Sequence, residues 1–232
     1  MRVVVFGASG PTGRQVVEQA LAEGHEVTAV TRRPEGVAPR AGVAVVGADV
    51  ADPAAVDAAV AGHDAVLSVL GVPFGPAPVT VYSQGVANIL AAMERHGVRR
   101  LVAVSSSVTD PLWRPSGEFF FNHVMDPLVN RRLGRTLHED MRRMEAVVRA
   151  SGVDWTIVRP SGLFDHPAPT GYRVAEDRAD GLFTARADLA AAMLAQLRDD
   201  RYVRRAMAVI TTDVRPSILG LIWREAVTKK GR

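Results

Sequence analysis

The chain of 232 residues contains no cysteine, which excludes disulfides, thiolate nucleophiles and zinc–thiolate sites. Lysine is almost absent, since Lys229 and Lys230 are the only two. No apolar run approaches the ~20 residues that a membrane-spanning helix needs, so we expect no membrane segment. The sequence is strand-like from Met1, which predicts that no targeting peptide is present. From these absences we expect a cytoplasmic protein.

Aromatic residues make up only 6% of the chain, while hydrophobic residues make up 47% and charged residues 23%, an ordinary balance for a globular protein. The length fits one α/β domain over residues 1–232. The net charge is +3, but the basic residues are interleaved with acids, which is typical of solvated helix faces. We therefore expect no nucleic-acid partner. The sequence contains no metal-ligand cluster, catalytic triad or paired-carboxylate spacing, so no metal is predicted.

The most informative segment is at the start of the sequence. Residues 1–6 read MRVVVF, a short apolar run that predicts a buried strand. A glycine-rich turn follows over residues 7–13, and apolar residues then recur at helical spacing until Gly24. A strand, a glycine-rich turn and a helix together place a phosphate against a helix N-terminus, where free N–H groups and the helix dipole favour an anion. The segment therefore predicts a dinucleotide-binding site.

The spacing of this turn is G-x-x-G-x-x-G. Gly7 would make the tight turn out of the strand, Gly10 would let the backbone approach the pyrophosphate, and Gly13 would let the helix pack closely on the strand. The hydroxyl groups of Ser9 and Thr12 are also in reach of a phosphate. The predicted cofactor-binding residues of the turn are Gly7, Ser9, Gly10, Pro11, Thr12 and Gly13.

Strand and helix patterns alternate along the chain, which predicts βαβ units and a Rossmann-type, doubly wound parallel sheet flanked by helices. The predicted strands are residues 1–6, 25–31, 43–47, 64–70, 101–105, 155–158 and 206–210. The predicted helices are residues 14–23, 53–61, 80–96, 137–150, 188–198 and 218–227. Residues 161–183 are rich in Gly and Pro and predict a long loop over a pocket, with a short strand at 172–174.

The end of the second strand indicates which nicotinamide cofactor is bound. NAD-binding proteins usually carry an acid there, which accepts hydrogen bonds from the ribose 2′-OH. This chain has Arg32 and Arg33 instead, and a guanidinium matches a phosphate dianion and stacks on adenine. The sequence therefore favours NADP over NAD. The alternative is an exposed arginine pair without a role in binding.

Two further segments lie at predicted carboxyl ends of strands, where ligands of open α/β sheets bind. Asp49 and Val50 follow the third strand, and the carboxylate of Asp49 is placed to meet the adenine amino group. An equally good interpretation makes Asp49 a helix-start residue before Pro53. The fourth strand ends on the nicotinamide side, and the cofactor-binding residues predicted there are Val69, Leu70 and Gly71.

Together these motifs resemble the atypical short-chain dehydrogenase/reductase families that bind NAD(P)H, in particular the biliverdin/flavin reductase group and the NmrA-like proteins. The matching pieces are VVVFGASGPTG (3–13), TRR (31–33), GADV (47–50), LVAVSS (101–106), RME (143–145), SGVDW (151–155), VRP (158–160) and ARADLA (185–190). The resemblance covers residue 1 to about 210. It implies a Rossmann fold and NADP(H) binding.

The chain departs from the Tyr-x-x-x-Lys pair that most short-chain dehydrogenases use for proton transfer. Its three tyrosines are Tyr82, Tyr172 and Tyr202, and none is followed by lysine at the fourth position. The resemblance implies that Ser106, after the fifth strand, is the catalytic candidate near the nicotinamide, with Ser105 as a cofactor contact. Alternatively, the serines simply end a buried strand. His123 and His138 are weaker candidates for a proton donor.

These residues lead to two hypotheses. The first is an NADPH-dependent reductase that transfers hydride to a small-molecule acceptor resembling a flavin, a quinone or a tetrapyrrole. The second is a non-catalytic, NmrA-like NADP(H) sensor, which the missing Tyr/Lys pair motivates. A third hypothesis, a relative of nucleotide-sugar or isoprenoid-type epimerases, is disfavoured because the only lysines are at the end of the sequence. The acceptor side would be built from residues 73–79, 108–125 and 161–173, where Phe74, Trp113, Phe119, Phe120, Phe164 and Tyr172 would supply aromatic surface, although the same aromatics could equally be core.

Overall fold

The computed structural model describes residues 1–37, 40–73, 75, 77–119, 121–123, 128 and 134–216. Their strands are β1 (Arg2–Phe6), β2 (Glu26–Thr31), β3 (Val43–Gly47), β4 (Ala65–Ser68), β5 (Arg100–Val104), β6 (Asp154–Pro160), β7 (Gly162–Phe164), β8 (Tyr172–Glu176), β9 (Phe183–Ala185) and β10 (Arg205–Thr211). The main sheet has the order β3-β2-β1-β4-β5-β6-β10-β8, and β8 is its antiparallel strand. The predicted Rossmann-type fold is confirmed.

The helices cover both faces of this sheet. They are α1 (Pro11–Ala22), α2 (Pro53–Val60), α3 (Val81–His96), α4 (Arg135–Ala150) and α5 (Arg186–Ala195). Helices α1 and α5 pack on one face, while α2, α3 and α4 pack on the other. The central strands β1 and β4 are therefore buried on both faces, which is why they consist of nearly continuous apolar residues.

The local signals at the helix ends act as expected. Pro11 occupies the first turn of α1, where its missing N–H costs no hydrogen bond. Gly97 ends α3 in the left-handed conformation, with φ 68°. Strand β4 is shorter than predicted and ends at Ser68, so Val69, Leu70 and Gly71 belong to the connection that follows it.

The prediction of a long loop over residues 161–183 is wrong. Strands β7 and β9 pair in parallel as a small second sheet, and β8 pairs antiparallel with β10. The short strand predicted at 172–174 is part of β8. These strands pair with segments distant in sequence, so the local Gly and Pro content could not reveal them. The helix predicted at 218–227 lies outside the described residues.

Within the part of the chain that the structure describes, no helix is long and apolar enough to span a membrane.

Candidate cofactor-binding and active site

The glycine-rich turn between β1 and α1 is as tight as its spacing predicts. Gly7 has φ +84°, and a Cβ added to it would lie 2.6 Å from the Val69 carbonyl oxygen, on the adjacent strand connection. A Cβ on Gly13 would clash with the Gly7 carbonyl oxygen and lie 2.7 Å from Ala8 Cα. Both positions therefore require glycine, one for conformation and close approach and the other for the packing of α1 on the turn.

The N-terminus of α1 points to the edge at which β1 and β4 end. Gly10 is its N-cap residue, and no side chain of the described ranges caps this helix end. The first-turn N–H groups of Thr12 and Gly13 thus face this edge, whereas Pro11 has no N–H. Such a terminus favours an anion through its free N–H groups and its dipole. The geometry of the turn therefore fits the pyrophosphate of a dinucleotide.

The glycine turn is tied directly to the arginine pair at the end of β2. Ser9 Oγ lies 2.7 Å from Thr31 Oγ1, and the Arg33 N–H donates to the same Thr31 oxygen at 3.1 Å. Thr31 is buried, while Arg32 and Arg33 are exposed. The main chain of the pair is therefore held beside the turn, and the two guanidinium groups are accessible to a ligand.

A cavity of about 400 Å³ begins beside this arginine pair. Arg32, Asp49 and Val50, which are predicted to contact the adenosine part of the cofactor, are among its lining residues. Ala51, directly after Val50, also lines it, and the remaining lining comes from the β4–α3 connection and the first turns of α3, namely Val72, Pro73, Gly75, Ala77, Pro78, Val79, Thr80, Val81, Gln84 and Gly85. The structure therefore brings together the residues predicted from the ends of β2 and β3.

The alternative role of Asp49 as the helix-start residue is wrong. The N-cap of α2 is Asp52, whose carboxylate accepts from the N–H groups of Ala54 and Ala55. Asp49 accepts instead from the Ala51 N–H at 2.9 Å, and its exposed side chain lines the cavity. The adenine contact of Asp49 stays a prediction.

The described residues of the segment 73–79, which is predicted to form part of the acceptor side, line the cavity with Arg32, and their part in acceptor binding stays a prediction. Helix α4 holds the segment there. Thr136 Oγ1 donates to the Gly75 carbonyl at 3.3 Å, and Arg143 Nη2 donates to the Val79 carbonyl at 3.0 Å. Because these contacts come from a helix distant in sequence, the placement could not be deduced from the segment.

The serines after β5 differ from one another in their surroundings. Ser105 and Ser107 are buried, whereas Ser106 is partly exposed at the edge where the parallel strands end. Ser106 Oγ accepts from the Val108 N–H at 3.3 Å. The hydroxyl of Ser105 donates to Glu145 at 2.7 Å, so a contact between Ser105 and a cofactor would have to use its main chain.

Glu145 and Arg159 form a buried ion pair behind these serines. Arg159 Nη2 lies 2.6 Å from Glu145 Oε2, and Arg159 Nε donates to Oε1 at 3.0 Å. Burial acts to raise the pKa of Glu145, but the hydrogen bonds and charge of Arg159, together with the hydroxyls of Ser105 and Thr109, outweigh it. The pKa of Glu145 is therefore lowered, and its carboxylate is ionised at neutral pH.

The aromatic residues expected on the acceptor side are divided between core and surface. Trp113 is buried, with its Nε1 donating to the Ala179 carbonyl, and Phe164 is buried against Phe183. Phe119 is 74% exposed and stacks on His123, with ring centroids 4.2 Å apart. Phe74 and Phe120 lie outside the described residues. His138 is buried within α4.

The model of a family described as NAD(P)H-binding matches residues 7–200, which include the glycine turn, the arginine pair and Ser106. The chain belongs to this NAD(P)H-binding family. The resemblance to atypical short-chain dehydrogenases/reductases is thereby confirmed. The match begins at Gly7, the residue at which the geometry of the turn becomes restrictive.

Several solved structures are similar to this chain. A short-chain dehydrogenase/reductase from Veillonella parvula, solved with NADP, has a TM-score of 0.75 and 19% identity, with 94% of this chain and 99% of that chain covered. An anaerobilin reductase from Escherichia coli has a TM-score of 0.72 and 23% identity, with 94% and 100% covered. At these identities the likeness shows the fold.

Among relatives by sequence, (4-alkanoyl-5-oxo-2,5-dihydrofuran-3-yl)methyl phosphate reductase of Streptomyces griseus is 35% identical over 159 residues, which is 68% of this chain. The chain spans 46% and 63% of the lengths of two curated relatives that it matches. These similarities support an oxidoreductase-like member of the NAD(P)H-binding family.

Sequence reasoning missed the roles of three buried charges in this NAD(P)H-binding protein. Glu145 and Asp140 lie on the buried side of α4, and Arg159 lies in the buried strand β6. A signal was present, because Glu145 directly follows Met144 on a helix face that also carries Leu137, Met141 and Val148. Charged residues are rarely fully buried unless they are paired, so an acid in an apolar stripe predicts a partner, although not which one.

Proposed function

We propose that the chain is an NADPH-dependent reductase that transfers hydride to a flat, conjugated small-molecule acceptor such as a flavin, a quinone or a tetrapyrrole. The observation that carries this proposal is the common edge of the sheet. There the glycine turn, the cavity with Arg32 and Asp49, and Ser106 follow the ends of β1, β2, β3 and β5.

The charge at the cavity supports NADP over NAD. Arg32 lines the cavity, and no acid occupies the positions that follow β2 before Glu35. A guanidinium at this place binds the 2′-phosphate, whereas an NAD site would use a carboxylate toward the 2′-OH. The neighbour from Veillonella parvula with bound NADP supports the same cofactor.

When NADPH is bound, it supplies the hydride, and the chain contributes binding and orientation. The α1 N-terminus and the glycine turn would hold the pyrophosphate, Arg32 and Arg33 the 2′-phosphate, and Asp49 with Val50 the adenine. The connection Val69–Leu70–Gly71 and the main chain of Ser105 would line the nicotinamide side. Ser106 Oγ would orient the acceptor and donate a hydrogen bond to the charge that develops on it.

The proposal is tested by NADPH oxidation with FMN, benzoquinones and biliverdin as acceptors. We expect turnover with at least one acceptor and a fall in kcat of about 10- to 100-fold in Ser106→Ala, which is the worth of one hydrogen bond to a charged group. Ser151→Ala is the matched control. The Ser151 hydroxyl donates to the Val148 carbonyl at the C-terminal end of α4, and it is not among the residues assigned to the site. Equal losses in both variants would contradict the role of Ser106.

A second candidate is a non-catalytic NADP(H) sensor, which is favoured by the lack of any Tyr-x-x-x-Lys pair in the sequence. Tight NADPH binding without turnover across the whole acceptor panel would support it and would refute the reductase.

A further inference from the structure

Glu145 occupies an unusual place for a carboxylate. It lies on the apolar face of α4 between Met141, Met144 and Val148, and it is only 5% exposed. Its side chain reaches toward the carboxyl ends of β5 and β6. There it lies between the guanidinium of Arg159 and the short 3₁₀ turn Ser107–Thr109 that follows Ser106.

Three donors converge on one oxygen of this carboxylate. Ser105 Oγ and Thr109 Oγ1 each lie 2.7 Å from Glu145 Oε1, and Arg159 Nε lies 3.0 Å from it. The Thr109 hydroxyl also lies 2.7 Å from the Ser106 carbonyl oxygen, and its single proton is shared between these two acceptors. Glu145 thus holds the residues immediately before and three positions after Ser106.

Strand β6, which pairs with β5, holds the same turn through its main-chain carbonyl groups. Ser107 Oγ donates to the Arg159 carbonyl at 3.1 Å, and the Ser105 N–H donates to the Val158 carbonyl at 2.8 Å. Residues 105, 107 and 109 are therefore buried and bonded inward, while residues 106 and 108 between them are partly exposed. The alternation turns Ser106 outward, to the edge of the sheet where the cofactor site lies.

We propose that Glu145 is a positioning residue for Ser106: its carboxylate, bound by Arg159, fixes the turn from Ser105 to Thr109 so that the Ser106 hydroxyl faces the acceptor. The role in positioning an acceptor rests on the proposed function. The role in fixing the turn does not.

A carboxylate suits this task better than an amide would. Both oxygens of Glu145 accept, and the buried charge makes each donated hydrogen bond stronger than a neutral one. In Glu145→Gln one oxygen becomes an NH₂ group, which cannot accept from Arg159 or from the turn hydroxyls. Either the ion-pair side or the turn side of the residue then loses its partner.

The first arm of the experiment is hydrogen exchange by mass spectrometry, which requires no activity. The N–H groups of Thr109 and Asp110 donate to the carbonyls of Ser106 and Ser107, so their exchange reports on the turn. We expect at least tenfold faster exchange over residues 105–111 in Glu145→Gln and in Thr109→Val, with residues 72–84 unchanged. Thr109→Val removes the hydroxyl while the Glu145–Arg159 pair stays intact, so it remains informative if Glu145→Gln fails to fold.

The control variants separate positioning from packing. Thr109→Ser keeps the hydroxyl and should restore slow exchange over residues 105–111. Thr156→Val makes the same isosteric change in a buried threonine whose hydroxyl donates to the Tyr202 carbonyl, and it should leave the turn unchanged. Exchange over residues 105–111 that is the same in Glu145→Gln, Thr109→Val and the wild type overturns the proposal.

The second arm measures turnover and NADPH affinity in the same variants. We expect kcat to fall at least tenfold in Thr109→Val with the NADPH Kd within twofold of the wild type, and Thr109→Ser to retain most of the turnover. A loosened turn with unchanged kcat overturns the positioning of Ser106, and so does a loss that appears entirely in the Kd. If the wild type turns over no acceptor, the proposed function fails, while the exchange arm still decides whether Glu145 fixes the turn.

Discussion

At the scale of single residues, the glycines of the turn differ in why glycine is needed: steric restriction by the fold accounts for some, and the proposed ligand for another. Gly7 and Gly13 have main-chain neighbours where a Cβ would lie, so the fold itself demands glycine there. For Gly10 the nearest atom to an added Cβ is the Gly7 carbonyl oxygen at 3.3 Å, a milder restriction. The approach of a phosphate is thus a further reason for glycine at position 10, as the proposed function requires.

Gly13→Ala should lower the free energy of unfolding by about 1–3 kcal/mol, because the added methyl group overpacks α1 against the turn. NADPH affinity should fall as well, since the helix N-terminus moves. Gly152→Ala is the control, because nothing lies within 4 Å of its added Cβ. Thermal melting and fluorescence titration with NADPH measure both effects, and a Gly13→Ala variant as stable as Gly152→Ala would contradict the tight packing.

Arg32→Ala should weaken NADPH binding by about 10- to 100-fold, the equivalent of hydrogen bonds between a charged donor and a phosphate. NADH affinity should stay nearly constant, because NADH has no 2′-phosphate. Arg99→Ala, an exposed arginine paired with Asp154 at the opposite end of the sheet, serves as the matched control. Equal affinity for NADPH and NADH in the wild type would refute the choice of NADP.

At the scale of elements, α4 is the helix that connects the two parts of the site. Thr136 in its first turn and Arg143 in its third turn hold the cavity segment, and Glu145, two residues further on, holds the Ser106 turn. The helix and its buried methionines could be predicted from periodicity in the sequence. Its contacts with these two segments could not, because each partner there is at least 30 residues away and is set by how the helix packs across the sheet.

Asp140 on this helix caps a different helix. Its fully buried carboxylate accepts from the Tyr82 N–H at 2.9 Å and the Ser83 N–H at 3.3 Å, as well as from the Ser83 hydroxyl, and it pairs with Arg143. Asp140 therefore does not act on the N-terminus of its own helix. The carboxylate instead satisfies the first N–H groups of α3, beside the cavity.

Asp140→Asn should reduce the free energy of unfolding by about 1–2 kcal/mol, because a charged cap at a helix N-terminus becomes a neutral one with a single acceptor oxygen. Asp52→Asn provides the comparison, since Asp52 is an exposed N-cap that asparagine can replace at little cost. Urea denaturation of both variants measures the difference. Losses of equal size would contradict the role of the buried charge.

At the scale of the whole molecule, the parallel sheet is what turns separate motifs into one site. The ends of β1 to β5 meet at one edge because their pairings are all parallel. A single domain over residues 1–232 and a cytoplasmic location stay predictions.

The buried Glu145–Arg159 pair, which lies behind the serines at this edge of the sheet, makes the stability of the fold depend on pH.

The Glu145 pair should make stability fall in acid. Since its pKa in the folded state lies below the ordinary value of 4.5, Glu145 contributes stability at pH values above 4.5 and loses that contribution as the pH falls through the folded-state pKa. Glu145→Gln should therefore be less stable than the wild type by about 3 kcal/mol at pH 7, and the difference should shrink below pH 4.5. Denaturation at pH 7 and pH 3 measures this, and a difference independent of pH would contradict it.

The sequence by itself determined the alternation of strands and helices, the glycine turn and the placement of the arginine pair, because each depends on neighbours within a few residues. Only the tertiary structure decided that the described residues of 73–79 line the cavity with Arg32, that 161–183 contain paired strands, and that Asp140 and Glu145 bind other elements. Those outcomes depend on contacts between distant segments. Hydrophobic periodicity determines which side of a helix is buried, but the partners of a buried charge are determined by packing.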